Sequence, residues 1–262
     1  MNISKDRFLI LTLLLGLLIR LVLTPIAGFR IFFGAIMLFE IARYWLNGWI
    51  AEYYIDPTFF FKYYGFEWVM PWSGNGRYIH FFILGALALF IMLGLFYRVS
   101  IALFFLGFSY WFLLSQTKYL NHHYLIALFS FLMIFIPAHR FFSLDALMRP
   151  HIQSKTVPAW TLWILIAQIS IVYFFAGVAK MRMDWINGIA LQLKLPDDSP
   201  IFAGLIEQQW FASFVATAIM VFLVTIVPLL LWKKTRVYAF VATTLFHLAN
   251  AYLFALGIFP WF

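Results

Sequence analysis

The sequence contains no cysteine among its 262 residues and has few charged side chains. The missing cysteines exclude disulfide bonds, thiol nucleophiles and thiolate metal sites. Charged residues make up only 11% of the chain, against about 25% in soluble domains, so they cannot cover a water-facing surface. Hydrophobic residues make up 65%. The composition therefore indicates an integral membrane protein.

The hydrophobic residues form runs that approach the ~20 residues a helix needs to cross a bilayer. These runs do not alternate with polar residues, as the strands of a membrane barrel would. We predict an all-α polytopic bundle of seven or eight transmembrane helices with interfacial segments. The seven runs expected to span are residues 25–46, 77–96, 99–116, 121–136, 158–180, 210–232 and 235–259.

The N-terminal run, residues 8–23, is short for a span and contains Arg20. We predict that residues 1–24 form an interfacial or short membrane helix ahead of a transmembrane domain over residues 25–262. Two long connections, residues 44–76 and 181–209, contain aromatic side chains that are typical of the membrane interface. Short helices lying flat on the membrane are expected in both.

The basic residues indicate an orientation. The net charge is +8, and its Lys and Arg residues are scattered singly rather than in a stripe, which argues against nucleic-acid binding. They are densest in the short connections around Arg98, residues 140–155 and residues 233–236. Short basic loops face the cytoplasm. Lys118, His122 and Lys180 would then lie on the non-cytoplasmic side.

Lys180 is the first candidate for chemistry, because it ends an apolar run and is followed by Arg182 and Asp184. A lysine at the apolar edge of a membrane helix is costly to charge and can act as a base. The alternative is an ammonium that reaches the interface, with Asp184 as its partner one turn later. Gly177 would let another helix or a flat ligand approach.

Two further polar groups interrupt apolar runs. His122 and His123 begin a predicted helix, and Lys118 would share a face with His122 if that helix starts early enough. A metal site is disfavoured, because adjacent histidines point about 100° apart on a helix. His247 and Asn250 lie within the last span, where polar residues face the protein interior. They are candidates for either function or an interhelical hydrogen bond.

Residues 171–188, IVYFFAGVAKMRMDWING, resemble the signature of the vitamin K-dependent γ-glutamyl carboxylases and of the wider HTTM (horizontally transferred transmembrane) domain family. Further blocks resemble the family in the same order along most of the chain. They are residues 29–34 (FRIFFG), residues 95–100 (LFYRVS), Asn121-His122 with Tyr124-Leu125, Ser143-Leu144-Asp145 before Val157-Pro158, and Phe246-His247 with Asn250, Leu253-Phe254 and Gly257 to Phe259.

The resemblance implies an integral membrane enzyme that couples oxidation of a reduced naphthoquinone by O₂ to carboxylation of a glutamate γ-carbon. The cofactor would be reduced vitamin K (phylloquinol or menaquinol), with O₂ and CO₂ as co-substrates and no metal. Membrane lipid, quinone and a glutamate-containing peptide would be the partners, and nucleic acid would not. The bacterial inner membrane is the expected location, with a non-cytoplasmic active face.

The same resemblance implies roles for individual residues. Lys180 matches the lysine that deprotonates the hydroquinone, and His122 matches the histidine that assists the later carbanion and CO₂ step. The remaining matched positions would bind substrate, and they are Asn121, Tyr173, Gly177, His247 and Asn250.

Two departures from the animal enzymes leave other functions open. The large luminal domain that binds the protein substrate there is absent from this sequence, and Ala179 stands where those enzymes have a second lysine. The resemblance therefore supports the membrane core and its quinol chemistry. It says little about whether glutamate is the group that is carboxylated. A non-enzymatic quinone- or lipid-binding protein, or a transporter of the same fold, is the alternative.

Overall fold

The computed structural model describes residues 20–22, 24–193 and 203–253. Two short strands, β1 (Arg20–Val22) and β2 (Thr156–Pro158), pair antiparallel with Arg20 opposite Pro158. Three 3₁₀ turns cover Gln116–Lys118, Ala138–Arg140 and Pro150–Ile152. The α-helices are α1 (Thr24–Leu46), α2 (Trp49–Tyr54), α3 (Gly76–Leu93), α4 (Tyr97–Leu113), α5 (Asn121–Phe135), α6 (Leu144–Met148), α7 (Trp160–Val178), α8 (Met183–Ile186), α9 (Ile189–Gln192), α10 (Ala203–Ile206), α11 (Gln209–Leu231) and α12 (Arg236–Leu253).

The predicted all-α membrane fold is confirmed, and each of the seven predicted runs contains a long helix. Within the described residues, α1, α3, α7 and α11 are long and apolar enough to cross a bilayer. The apolar helices α4 and α5 are shorter, at 17 and 15 residues. Short helices also occur in both long connections, with α2 in the first and α8 to α10 in the second.

The end of the N-terminal run forms a strand. Arg20–Val22, the described residues of this run, form β1 and pair with β2. Local periodicity could not reveal this pairing, because the partner strand lies more than 130 residues away in the sequence. Residues 1–19 lie outside the described part of the chain.

The chain divides into two compact units, with the boundary inside α7 after Leu165. In the first unit α1 packs on α3, and α4 packs on both α3 and α5. The close approach of α1 to α3 requires Gly34, since a Cβ there would lie 2.8 Å from the carbonyl oxygen of Ala88. Aromatic rings fill the core, as in the edge-to-face contact of Phe33 with Phe104 at 5.9 Å.

A polar cluster joins the helix ends at one side of the first unit. Its centre is Arg30, which is fully buried and donates a hydrogen bond from Nη2 to the Phe142 carbonyl. The Asp145 carboxylate accepts hydrogen bonds from the backbone N–H groups of Phe96 and Tyr97, both at 2.9 Å. This carboxylate therefore caps the start of α4, where a helix favours negative charge.

The cluster also contains two residues in strained backbone conformations. Phe96 and Phe142 have φ values of 44° and 47°, a region that bulky side chains seldom adopt. The hydrogen bonds to Asp145 and Arg30 hold both residues in place. Three of the sequence blocks with a family resemblance, around Arg30, Tyr97 and Asp145, thus meet in one structural network.

His139 completes this end of the unit by stacking on the Tyr97 ring, with centroids 5.5 Å apart. Burial, reinforced by the positive charge of Arg98, lowers the pKa of His139 to about 4. The imidazole is therefore neutral at physiological pH, which suits its place among arginines.

Gly94 tests the cluster most directly. It has φ +66°, and a Cβ at this position would collide with the Arg30 guanidinium. Gly94→Ala should therefore lower the free energy of unfolding by more than the ~1–2 kcal/mol that left-handed backbone costs a non-glycine residue. Thermal unfolding in nanodiscs measures the change. Gly28→Ala is the matched control, because nothing lies within 4 Å of its Cβ position. Equal stability of the two variants would contradict this description of the cluster.

Candidate functional site

Lys180 lies in the turn that follows the end of α7 at Val178. Its Nζ donates a hydrogen bond to the Ala176 carbonyl at 3.2 Å. The same atom lies 4.8 Å from the centroid of the Trp185 ring, within cation–π distance. The lysine is half-buried, so its amine is held against the apolar end of the helix rather than extended into water.

Asp184, the partner that the alternative interpretation gave to Lys180, also pairs with a second cation. It bonds to Arg182 at 3.2 Å, and the side chains of Asp184 and Arg182 are 50% and 73% exposed. An exposed pair of this kind contributes little stability. Contacts of the Lys180 amine include the Trp185 ring and the Ala176 carbonyl.

Trp185 is fixed by the helix behind it, which sequence reasoning did not detect. Its indole Nε1 donates to the Ala216 carbonyl on α11 at 2.8 Å. Gly188, with φ +76°, packs against Ala212 so closely that a Cβ would lie 2.6 Å from that residue. In the W-I-N-G sequence after Lys180, the tryptophan and the glycine thus attach residues 185–188 to α11. Small residues on α11 were the available signal for this contact.

Gly177 provides close helix packing. A Cβ at this position would lie 2.5 Å from Cγ2 of Val224 and 3.2 Å from its backbone nitrogen. Of the two uses that the sequence suggested, approach of a helix or approach of a flat ligand, the structure shows the helix. Gly177 therefore lets α7 pack closely on α11 three residues before Lys180.

Tyr173 and His247 form a hydrogen-bonded pair between α7 and α12. The Tyr173 hydroxyl lies 2.5 Å from His247 Nε2. With the phenol as donor, neutral His247 carries its proton on Nδ1. That Nδ1 atom is buried and has no hydrogen-bond partner among the described residues. It is therefore a donor available to an oxygen atom of a ligand.

Asn250 does not share in this interhelical contact. Its Nδ2 donates to the Phe246 carbonyl of its own helix at 2.7 Å. The interhelical hydrogen bond expected for the His247 and Asn250 positions is thus made by His247 alone among the described contacts.

Tyr173 lies on α7, and Lys180 lies seven residues later, in the turn that follows this helix. The small residues Ala176 and Gly177 lie between them in the sequence. The phenol of the Tyr173–His247 pair and the Lys180 amine therefore come from one short segment of the second unit.

His122 belongs to the first unit, near the start of α5. It is 9% exposed, and its ring centroid lies 4.6 Å from that of His123, which in turn packs on Trp111 at 5.1 Å. Asn121 is the first residue of α5 and is exposed.

The predicted pairing of Lys118 with His122 on one helix face is wrong. Lys118 ends a 3₁₀ turn, and the next two residues, Tyr119 and Leu120, are extended. Helix α5 therefore begins too late to include the lysine. The Lys118 amine instead lies 4.0 Å from the Tyr53 ring centroid.

The predicted site residues are thus distributed over both units. Lys180, Tyr173, Gly177, His247 and Asn250 lie in the second, and His122 and Asn121 lie in the first. A part-buried ion pair in the first unit, Glu40 with Arg43 at 2.7 Å, was not assigned a role from the sequence. Its signal was the i, i+3 spacing of opposite charges within an apolar run. No group of three His, Asp or Glu side chains in the described residues could hold a metal ion.

A family model of the HTTM domain matches residues 23–262. The chain belongs to the HTTM domain family. That match covers almost the whole sequence, including both units and the Lys180 block, and the family fold is related to that of the vitamin K-dependent carboxylases. No solved structure matches this HTTM domain.

Tyr173→Phe tests the pair between α7 and α12. Loss of the hydroxyl leaves His247 Nε2 without its partner, and a buried polar atom without a partner costs ~1–3 kcal/mol. We expect a lower thermal unfolding midpoint in nanodiscs. Tyr238→Phe is the matched control, since Tyr238 is 78% exposed on α12 and should unfold like the parent chain. An unchanged midpoint for Tyr173→Phe would show that the hydrogen bond contributes nothing.

Proposed function

We propose that this HTTM domain is a vitamin K-dependent carboxylase-like membrane enzyme, with Lys180 as the base that acts on a reduced naphthoquinone. The observation that supports the proposal is the position of the Lys180 amine. It is held by the Ala176 carbonyl and the Trp185 ring, in the turn after the helix that contains Tyr173. An amine must be neutral to accept a proton, so in the proposed reaction the Lys180 amine gives up these two contacts, which favour its charged form.

The residues present fit a quinol. Reduced vitamin K, together with O₂, supplies the strong base that carboxylation of a glutamate γ-carbon needs. Lys180 Nζ would accept the proton of a quinol hydroxyl group. His247 Nδ1, buried and without a partner among the described residues, would donate to a quinone oxygen. Tyr173 would fix the tautomer of His247 through their 2.5 Å contact.

The proposal also includes the roles that the family resemblance implies for His122 and Asn121. His122 is held in a buried aromatic environment beside His123. In the proposed reaction His122 assists the later carboxylation step, and Asn121 orients it or the quinol. Glutamate in a peptide is the proposed acceptor, the bacterial inner membrane is the proposed location, and the active face is the non-cytoplasmic one.

The decisive experiment measures two products separately. The purified chain in nanodiscs is incubated with chemically reduced menaquinone or phylloquinone, O₂, labelled bicarbonate and a glutamate peptide. Quinol oxidation is followed by chromatography, and fixation of the label into the peptide is counted. We expect Lys180→Ala and Lys180→Arg to lose both activities by ~10²-fold or more, the usual scale of an acid–base contribution.

Arg182→Gln is the matched control, since Arg182 is a neighbouring cation that is 73% exposed. It should retain both activities. Turnover by Lys180→Ala at the parent rate would contradict the proposal. Quinol binding without oxidation by the parent chain would instead identify a non-enzymatic quinone-binding protein. Oxidation without label fixation would retain the role of Lys180 and reject glutamate as the acceptor.

A further inference from the structure

Residues 57–73, called here the aromatic loop, join α2 to α3 without regular secondary structure. Most of its large apolar and aromatic side chains are exposed, although Val69 is buried and Phe60 and Tyr63 are half-buried. The most exposed are Tyr64 at 96%, Trp68 at 74%, Phe59 at 69%, Met70 at 64% and Phe61 at 57%. A continuous apolar surface of this kind marks a contact with another phase or molecule.

Of the two charged residues of the aromatic loop, Lys62 is directed into the protein, and Glu67 is exposed. Lys62 donates hydrogen bonds from Nζ to the carbonyl of Val69 and, at 3.4 Å, to that of Leu114. The second contact places a cation at the end of α4, where the helix favours positive charge. The Glu67 carboxylate accepts a hydrogen bond from the nearby backbone N–H of Gly65 at 3.0 Å. Both charges are thus engaged by the backbone.

The backbone of the aromatic loop is also bonded to the protein. Gln116 N donates to the Phe61 carbonyl at 2.8 Å, and the Tyr110 hydroxyl donates to the Met70 carbonyl at 2.7 Å. Non-helical backbone near a bilayer requires such internal partners, because lipid offers none. Together with the Lys62 contacts, these bonds attach the loop to the end of α4.

The loop follows α1 and precedes α3 in the sequence, and both helices are long and apolar enough to cross a bilayer, so a bilayer surface is expected at its level. Trp and Tyr side chains concentrate at this level of a membrane. We propose that the aromatic loop inserts into the headgroup region of the bilayer, so that lipid rather than water contacts its exposed side chains. This inference does not depend on the proposed enzyme activity.

The absence of cysteine makes the test direct, because a single introduced cysteine can be labelled specifically. A nitroxide is attached to Trp68→Cys, and separately to Tyr64→Cys, in nanodiscs. Electron paramagnetic resonance then compares collisions with O₂, which dissolves in lipid, and with a water-soluble nickel chelate. We expect O₂ collisions to exceed chelate collisions at both positions.

Two reference positions in the same unit calibrate the result. Phe82→Cys, 68% exposed on the spanning helix α3, reports lipid, and His151→Cys, exposed in the 3₁₀ turn Pro150–Ile152, reports water. Loop labels that behave like the His151→Cys label would overturn the proposal. Labels protected from both reagents would overturn it too, since a protein would then cover the surface.

A charge variant tests the inward position of Lys62. Lys62→Met keeps the length of the side chain but leaves the Val69 and Leu114 carbonyls without its ammonium. The nitroxide at Tyr64→Cys should become more mobile in this background. Lys118→Met is the matched control, because the Lys118 amine contacts the Tyr53 ring on α2. Equal mobility in both backgrounds would contradict the attachment through Lys62.

Discussion

A bilayer cannot solvate polar groups, and the structure depends on how the protein satisfies them internally. The polar cluster of the first unit is an example. Arg30, fully buried, donates from Nη2 to the Phe142 carbonyl, although its Nε and Nη1 have no hydrogen-bond partner among the described residues. Asp145 is bonded to the first backbone N–H groups of α4. These contacts join the ends of helices whose apolar faces alone would pack with little specificity. The polar residues therefore determine which helix ends meet.

The same constraint shapes the candidate site in the second unit. A lysine at the end of α7 and a histidine inside α12 each require partners, and the structure provides them from Ala176, Trp185 and Tyr173. His247 Nδ1 has no hydrogen-bond partner among the described residues. His247 bonds α12 to α7 through Tyr173, and Lys180 follows the end of α7. The contacts that hold Lys180 and His247 in the fold thus also position the two groups proposed to act on the quinol.

Much of this arrangement could be predicted from the sequence, because hydrophobic runs report membrane helices directly and the Lys180 block has a specific pattern. Contacts between distant segments could not. Nothing local indicates that Arg20–Val22 pairs with Thr156–Pro158, or that Trp185 bonds to Ala216. Lys118 does not share a helix face with His122, because the residues just before Asn121 are extended and α5 begins only at Asn121. Spacing offered Asp184 as a partner for Lys180, and it could not show that the Asp184 carboxylate also pairs with Arg182.

We propose that a naphthoquinone binds beside Lys180, and photoaffinity labelling tests this binding without relying on turnover. A photoreactive menaquinone analogue is cross-linked to the chain in nanodiscs, and the adducts are mapped by mass spectrometry. We expect adducts within residues 171–185 or on α12 near His247, and we expect excess unlabelled phylloquinone to suppress them. Adducts confined to other helices, or adducts that phylloquinone does not suppress, would contradict it.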